Sequence, residues 1–268
     1  DNSRSISKLF SDPKITLLEL PHRGQNYAMN IGIKYALQQN IPYIARMDAD
    51  DISMPTRIEK QVNLLELNPY AAACSCNCYY IDSQTGKIVG TSTVPISSKL
   101  IRLEIKNGLR GIIQGATIFR SDSLNTIGGY RPVFRLSEEI DVFLRLSERY
   151  PLINCYDFLY KIRLHNNSIS IKNMEENILY NFYALDCGKR RKRKHIERSF
   201  DEFCENKNFF TRLLIHREEI VLEQWRSGIS NKKLYKKIFA GLLDPRRVFL
   251  RIIRIIDNFK YKRIRFKL

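Results

Sequence analysis

At 268 residues the chain has room for one large domain, or one of ordinary size with an extension. Its 44% hydrophobic and 11% aromatic content excludes a disordered chain, and no apolar run approaches the roughly 20 residues of a membrane-spanning helix. The net charge of +17 is uneven: residues 1–170 carry 20 Lys and Arg against 16 Asp and Glu, residues 171–268 carry 25 against 12, so an anionic partner is expected at the C-terminal part.

In chain order, residues 2–11 read as the tail of a helix, Asp12-Pro13 as a turn, and residues 15–20 as a short buried strand. A polar loop over 21–26 leads into a helix from Tyr27 to Gln39, with Ala28, Ile31 and Tyr35 at helical spacing and Ala36 a further candidate for that face. The apolar run Tyr43-Ile44-Ala45-Arg46-Met47 then ends in Asp48, Asp50 and Asp51, so the carboxylates fall where a buried strand gives out. Acids this close repel one another unless a cation sits between them, which points to a divalent metal with hard oxygen ligands. The bland alternative is an acidic turn in which Asp51 or Ser53 caps the helix expected from Pro55 to Leu67. Ile58, Val62 and Leu65 would face inward on that helix.

Strands are expected over Ala71–Asp82 and Lys87–Val94, joined by a turn at residues 83–86, and again over residues 112–119. Strand, helix, strand, helix, strand at this spacing describes an α/β sheet with parallel neighbours, in which ligands bind beyond the carboxyl ends of the strands. Cys74, Cys76 and Cys78 alternate along one strand. Three thiols so placed sit too far apart to form a zinc set alone and read as small apolar core side chains, a pattern that fits a reducing compartment.

Gly128-Gly129-Tyr130 is a loop that needs unusual backbone angles. Ser137 can cap a helix running to Tyr150, whose first turn carries Glu138, Glu139 and Asp141 at the positive end of the helix dipole. That is a complete structural explanation, and it is also how a protein keeps a carboxylate ionised and ready to accept a proton. A strand over residues 159–164 ends in His165.

Taken together these segments resemble the family 2 glycosyltransferases, enzymes of the GT-A fold that use nucleotide-activated sugars. The resemblance runs from Asp1 to Ser170. It rests on His22-Arg23-Gly24-Gln25 through Asn30-Ile31-Gly32-Ile33 and on Asp48-Ala49-Asp50-Asp51 with Pro55, Arg57 and Gln61 after it. Ile127-Gly128-Gly129-Tyr130, the Glu138 to Arg145 helix, and Arg163-Leu164-His165 with Ser168 and Ser170 complete the set.

The resemblance implies a nucleoside-diphosphate sugar donor with Mn2+ or Mg2+ held by Asp48, Asp50 and His165, and donor contacts from Gly24, Asn30 and Arg46. It further implies single-displacement, inverting transfer with Glu139 at the base position and Glu138 beside it, and Gly129, Tyr130 and Asp141 on the acceptor side. The family pairing at the base is usually Glu-Asp, where this chain has Glu138-Glu139, and Gln114 stands where many relatives have His. Members of the family open with a strand–helix–strand unit that is expected to be missing ahead of Asp1.

The expected organisation is thus an N-terminally truncated GT-A domain over residues 1–172 and a basic, mainly helical extension over 173–268. Within the extension, Lys189 to Lys194 is a run of six cations. Phe249, Ile252, Ile253, Ile256 and Phe259 fall on one helical stripe bordered by Arg247, Arg251, Arg254 and later cations, which suits a helix lying on an anionic bilayer. Packing of that helix on the catalytic domain is the alternative. The expected function is sugar transfer to a glycan or lipid-linked acceptor in surface polysaccharide synthesis, at the cytoplasmic face of the cell membrane. A non-catalytic remnant that binds nucleotide, glycan or membrane is the rival, and nucleic-acid binding ranks last.

Overall fold

The computed structural model describes residues 2–165, 173–206, 215–218, 220, 244, 248–250 and 252–258. Two long strands, β3 (Ala73–Asp82) and β6 (Leu152–Leu164), run parallel through the middle of one sheet. Four short strands complete it among the described residues: β1 (Tyr43–Ala45), β2 (Ile52–Ser53), β4 (Ile88–Ser92) and β5 (Ile118–Arg120). The order is β1-β5-β3-β6-β2, with β4 also on β3.

Every pairing except β3 with β6 is antiparallel, so the sheet is mixed where the spacing predicts parallel neighbours. The β3–β4 connection at residues 83–86 is a tight turn, which can only return the chain antiparallel. β1 and β2 are consecutive in the chain yet lie at opposite ends of the order, so the acidic loop between them is carried across the sheet.

The helices are α1 (Ser3–Ser7), α2 (Gln25–Gln38), α3 (Arg57–Glu66), α4 (Ser98–Lys106), α5 (Ser121–Thr126), α6 (Glu138–Arg149), α7 (Met174–Lys192) and α8 (Phe200–Glu205). On α2 the buried residues are Asn26, Ile33 and Ala36, so of the apolar spacing expected there Ala36 lies inward while Ala28 and Tyr35 are exposed. On α3 they are Arg57, Gln61 and Leu65, while Ile58 stays 47% exposed. Polar side chains take these inner positions because the neighbouring loops present backbone groups that need hydrogen-bond partners. Gln61 Nε2 donates to the carbonyls of Cys74 and Ala116 at 2.8 and 2.9 Å, tying α3 to β3 and to the turn ahead of β5.

Three local expectations are corrected. Residues 15–20 form no strand: among the described residues no neighbouring strand pairs with them, and Ile15, Leu17, Leu18 and Leu20 are exposed. Over residues 112–119 only the end is strand, because Gln114–Ala116 coil into a 3-10 turn. Ser137 precedes α6 in a left-handed conformation, φ 52°, and makes no side-chain cap. Its hydroxyl donates instead to the Asn177 carbonyl on α7 at 2.9 Å.

The three thiols of β3 are buried and free, in one apolar cluster with Cys155, Leu65 and Tyr160. On the other side Phe119, Phe134 and Phe143 share a core with Tyr180, Tyr183 and Cys187 of α7 and Phe203 of α8. The helical segment after residue 173 therefore packs into the same body as the sheet. Residues 248–250 and 252–258 are helical and dock by a mixed side, on which Leu250 is buried and Ile253 half-buried beside two charged residues. Arg254 pairs with the buried Glu104 of α4, and Asp257 Oδ2 accepts from the Ile96 and Ser97 N–H groups at 2.9 Å each. Phe249, Ile252, Ile255 and Ile256 remain outward, 49 to 64% exposed. Ser168, Ser170, Phe259 and the cations beyond it lie outside the described residues.

Replacing Gln61 with Leu keeps the volume and removes both donors, leaving the Cys74 and Ala116 carbonyls unpaired in the interior. Urea unfolding is expected to show a loss of about 2–6 kcal/mol, at about 1–3 kcal/mol for each of the two buried acceptors that lose this partner.

Candidate active site

The acidic loop is built from below. Arg57, 1% exposed, donates from Nη2 to the Arg46 carbonyl at 2.7 Å and from Nε to Gln61 at 3.0 Å, and its guanidinium lies 4.9 Å from the Tyr160 ring centre. The Asp48 N–H donates to the Tyr160 hydroxyl at 3.0 Å. These contacts explain a tyrosine in the middle of a buried strand: β6 shifts register against β3 twice around Asn77, and beyond the shifts Tyr160 stands fully buried beneath the loop.

Gly115 fits between them. A Cβ there would come within 2.8 Å of Asp48 Oδ2 and 3.1 Å of the Tyr160 hydroxyl oxygen. Only glycine allows the turn to approach the carboxylate this closely.

Within the loop each acid has its own partner. Asp48 pairs with the half-buried Arg46 guanidinium, whose pKa is raised because the hydrogen bond and charge of Asp48 outweigh the opposing effect of burial. Asp51 Oδ1 accepts from the Arg163 backbone N–H at 2.8 Å. Burial pushes the Asp51 carboxyl up, and the charges of Asp48 and Asp50 push it further, against the Arg163 bond. Asp50 Oδ2 lies 2.8 Å from His165 Nε2, and Arg163 Nε donates to the Asp50 carbonyl at 2.7 Å. Neither Asp51 nor Ser53 caps α3, whose N-cap is Thr56.

Of the expected metal set, the structure thus joins Asp50 to His165 and turns Asp48 toward Arg46. Among the described residues no three His, Cys, Asp or Glu side chains gather where they could hold a metal ion. A carboxylate oxygen and an imidazole nitrogen in contact remain a fitting two-donor set for Mn2+ or Mg2+ that leaves other positions to phosphate oxygens and water.

The second part of the site is held by α2. Asn30 clamps the Tyr130 backbone, donating to its carbonyl at 2.7 Å and accepting from its N–H at 2.8 Å, and Asn26 donates to the carbonyls of Arg131 and Phe134. Gly129, φ 65°, passes so close that a Cβ would stand 2.5 Å from Asn30 Oδ1. Asn30 is thereby a support of the Gly-Gly-Tyr loop. Gly24 sits exposed at the N-cap of α2 with φ 88°.

Tyr130 is buried, and burial raises its hydroxyl to about 12. Gln114 Nε2 lies 3.4 Å from that hydroxyl and 3.5 Å from Glu138 Oε1. Glu138 opens α6 at 8% exposure, and burial, then the charge of Glu139, raises its carboxyl to about 7. Glu139 is half-buried beside it. Arg46, paired with Asp48, also acts by its charge on Tyr130 and Glu138. Asp141 is fully buried, both oxygens engaged by Arg131 and Arg145, so its carboxylate belongs to the scaffold of the loop.

Residues 1–128 match the model of glycosyl transferase family 2. The amylovoran biosynthesis glycosyltransferase AmsE of Erwinia amylovora is 26% identical over 150 residues, 55% of this chain and 53% of that protein. The O-antigen biosynthesis glycosyltransferase WbnJ of Escherichia coli is 29% identical over 160 residues, 56% of this chain and 61% of that protein. The chain thus spans between half and two thirds of the length of these curated relatives. Among solved structures, the mannosyltransferase PcManGT from Pyrobaculum calidifontis, in complex with GDP-Man and Mn2+, is similar at 13% identity and a TM-score of 0.47, covering 95% of this chain and 71% of that one.

The raised Glu138 carboxyl sets a pH dependence. Between its ordinary 4.5 and about 7 the folded chain binds the proton that the unfolded chain has released, so stability falls as pH rises through this window and is flat above it. Glu138→Gln is expected to abolish that fall, leaving the variant more stable than the parent at pH 8 by up to about 3 kcal/mol and equal to it near pH 4. Urea unfolding across pH measures both.

Proposed function

We propose that this chain, whose residues 1–128 belong to glycosyl transferase family 2, is a metal-dependent inverting transferase that moves a sugar from a nucleoside diphosphate to a glycan or lipid-linked acceptor. The observation that carries the reading is the meeting of Asp50, in the loop between β1 and β2, with His165 just past the end of β6, while Arg46 of the same chain segment pairs with Asp48. A divalent cation held by Asp50 and His165 would neutralise charge developing on a diphosphate leaving group.

The chain's own residues supply the rest. Arg46 brings a permanent cation to the same place, its guanidinium already drawn toward the loop by Asp48. Glu139 is the base that takes the acceptor hydroxyl proton, being the more accessible carboxylate of its pair. Glu138, largely buried, holds a proton near neutral pH and spares Glu139 a second negative charge beside it. Tyr130 and Gly129 border the acceptor, in a loop held by Asn30. The names of the two relatives favour an acceptor in bacterial surface polysaccharide synthesis.

An anionic membrane surface is the proposed partner of the C-terminal helix, with the protein peripheral at the cytoplasmic face. No helix among the described residues is long and apolar enough to cross a membrane. The outward stripe of Phe249, Ile252 and Ile256 stands in the part of the sequence with the cationic excess, which suits shallow insertion among anionic headgroups.

With a panel of UDP- and GDP-sugars and Mn2+, Asp50→Ala is expected to lower transfer by about a hundredfold or more. Glu139→Gln is expected to lower it by about 10²–10⁴-fold and leave metal-dependent nucleotide binding in place. Full transfer by the Gln variant would move the base elsewhere, and nucleotide binding without any transfer by the parent chain would favour the non-catalytic rival. For the membrane, the chain is expected to float with vesicles of phosphatidylcholine and phosphatidylglycerol, and less with phosphatidylcholine alone. Phe249→Glu with Ile252→Glu is expected to abolish flotation, and unchanged flotation would remove the helix from that role.

A further inference from the structure

Six charged side chains form one continuous chain of alternating sign between the start of α6 and the C-terminal helices. Arg145 Nε donates to Asp141 at 2.9 Å, and Arg131 engages both Asp141 oxygens. The remaining Arg131 nitrogen, Nη1, pairs with Glu197 Oε2, and the other Glu197 oxygen accepts from Arg191 Nη1 at 2.7 Å. Arg191 then meets Glu148 at 2.9 Å.

Three guanidinium groups face three carboxylates, so the set is neutral only when complete. At one end Arg145 also holds the peptide carbonyls of Ile127 and Gly129, the latter at 2.7 Å. The set therefore grips the Gly-Gly-Tyr loop, while Glu197 belongs to the segment after α7, outside the residues matched by the family model.

We infer that Glu197 is a positioning residue for the Gly129-Tyr130-Arg131 loop and the first turn of α6, coupling the C-terminal helices to the acids placed there. This rests on the proposed role of that first turn in proton transfer. Among the described residues Glu197 is the carboxylate that joins Arg131, on the loop, to Arg191, on α7. Without it the Asp141 carboxylate faces Arg131 and Arg145 alone, and a positive charge at 27% side-chain exposure has lost its second partner. Arg131 can then swing from the face of Phe134, over which it now lies at 4.9 Å, and the peptide it belongs to follows. The two guanidinium groups hold the Glu197 carboxyl down to about 2 even though it is partly buried, so the link is complete throughout the neutral range.

The full chain with Glu197→Ala, Glu197→Asp or Arg191→Ala tests this by amide hydrogen exchange and steady-state transfer together. Glu197→Ala is expected to speed exchange at residues 127–135 about tenfold, with residues 73–82 of β3 unchanged. It is expected to lower kcat about tenfold with the donor KM within about twofold, since the Asp50–His165 side is not touched. Glu197→Asp is expected to recover part of both losses, and Arg191→Ala added to Glu197→Ala to add little, as members of one network do. Faster exchange throughout the chain, or none at 127–135, would overturn the inference, as would a kcat loss without the exchange change. If the parent chain transfers no sugar, the proposed function fails alone, because the exchange pattern still decides the coupling.

Discussion

A buried cation beneath an acidic loop is the constraint on which the rest of this structure depends. Arg57 has left water almost completely, which is costly for a guanidinium unless its donors and its charge are answered. The answers are the Arg46 carbonyl, the Gln61 amide and the face of Tyr160, and each belongs to an element that the acidic loop needs. Burial lowers the Arg57 pKa, yet a guanidinium remains charged far above neutral pH. The loop is therefore fixed by a group that cannot release it through titration.

A second constraint is the close approach of backbone to polar side chains, and it explains where glycine is required. Gly115 admits the Asp48 carboxylate and the Tyr160 hydroxyl on one side of the site, and Gly129 admits the Asn30 amide on the other. At both places a methyl group would meet an oxygen at less than a van der Waals distance. The site is thus assembled from loops, but the loops are held by side chains of α2, α3 and β6, which gives them the precision of the elements behind them.

The C-terminal residues take part in the same body. α7 and α8 complete the aromatic core around Phe134, and Tyr180 stacks on Phe200 with ring centres 4.2 Å apart. The helical segment at 248–250 and 252–258 buries Leu250 against the body, and polar groups carry the rest of its attachment. Arg254 and Asp257 attach it through charge and through the N-terminus of α4, so its apolar stripe faces out. Two cations of the 189–194 run are answered within the body, Arg190 by Asp186 and Arg191 by Glu148 and Glu197, while Lys189, Lys192, Arg193 and Lys194 are exposed.

The sequence by itself determined the sites of most elements, because their signals are local. The acidic end of β1, the turn at 83–86, the positive φ at Gly128 and Gly129, the buried thiols of β3 and the acidic first turn of α6 were each legible from periodicity or from one residue's chemistry. The Asp50–His165 pair could be named because both residues follow strand ends, but Tyr160 and Gly115 gave no such signal, and their role appears only when β6 and the 114–116 turn meet the loop. Tertiary structure also decided which face of α3 is inward, that residues 15–20 pair with no strand among the described residues, and that Ser137 serves α7 instead of its own helix. The reason is the same each time. Local pattern sets what a segment can form, whereas the partner of a polar group or a strand edge can lie 115 residues away in the chain, as for Asp50 and His165, or 161 away, as for Ile96 and Asp257, and is chosen only by the packed fold.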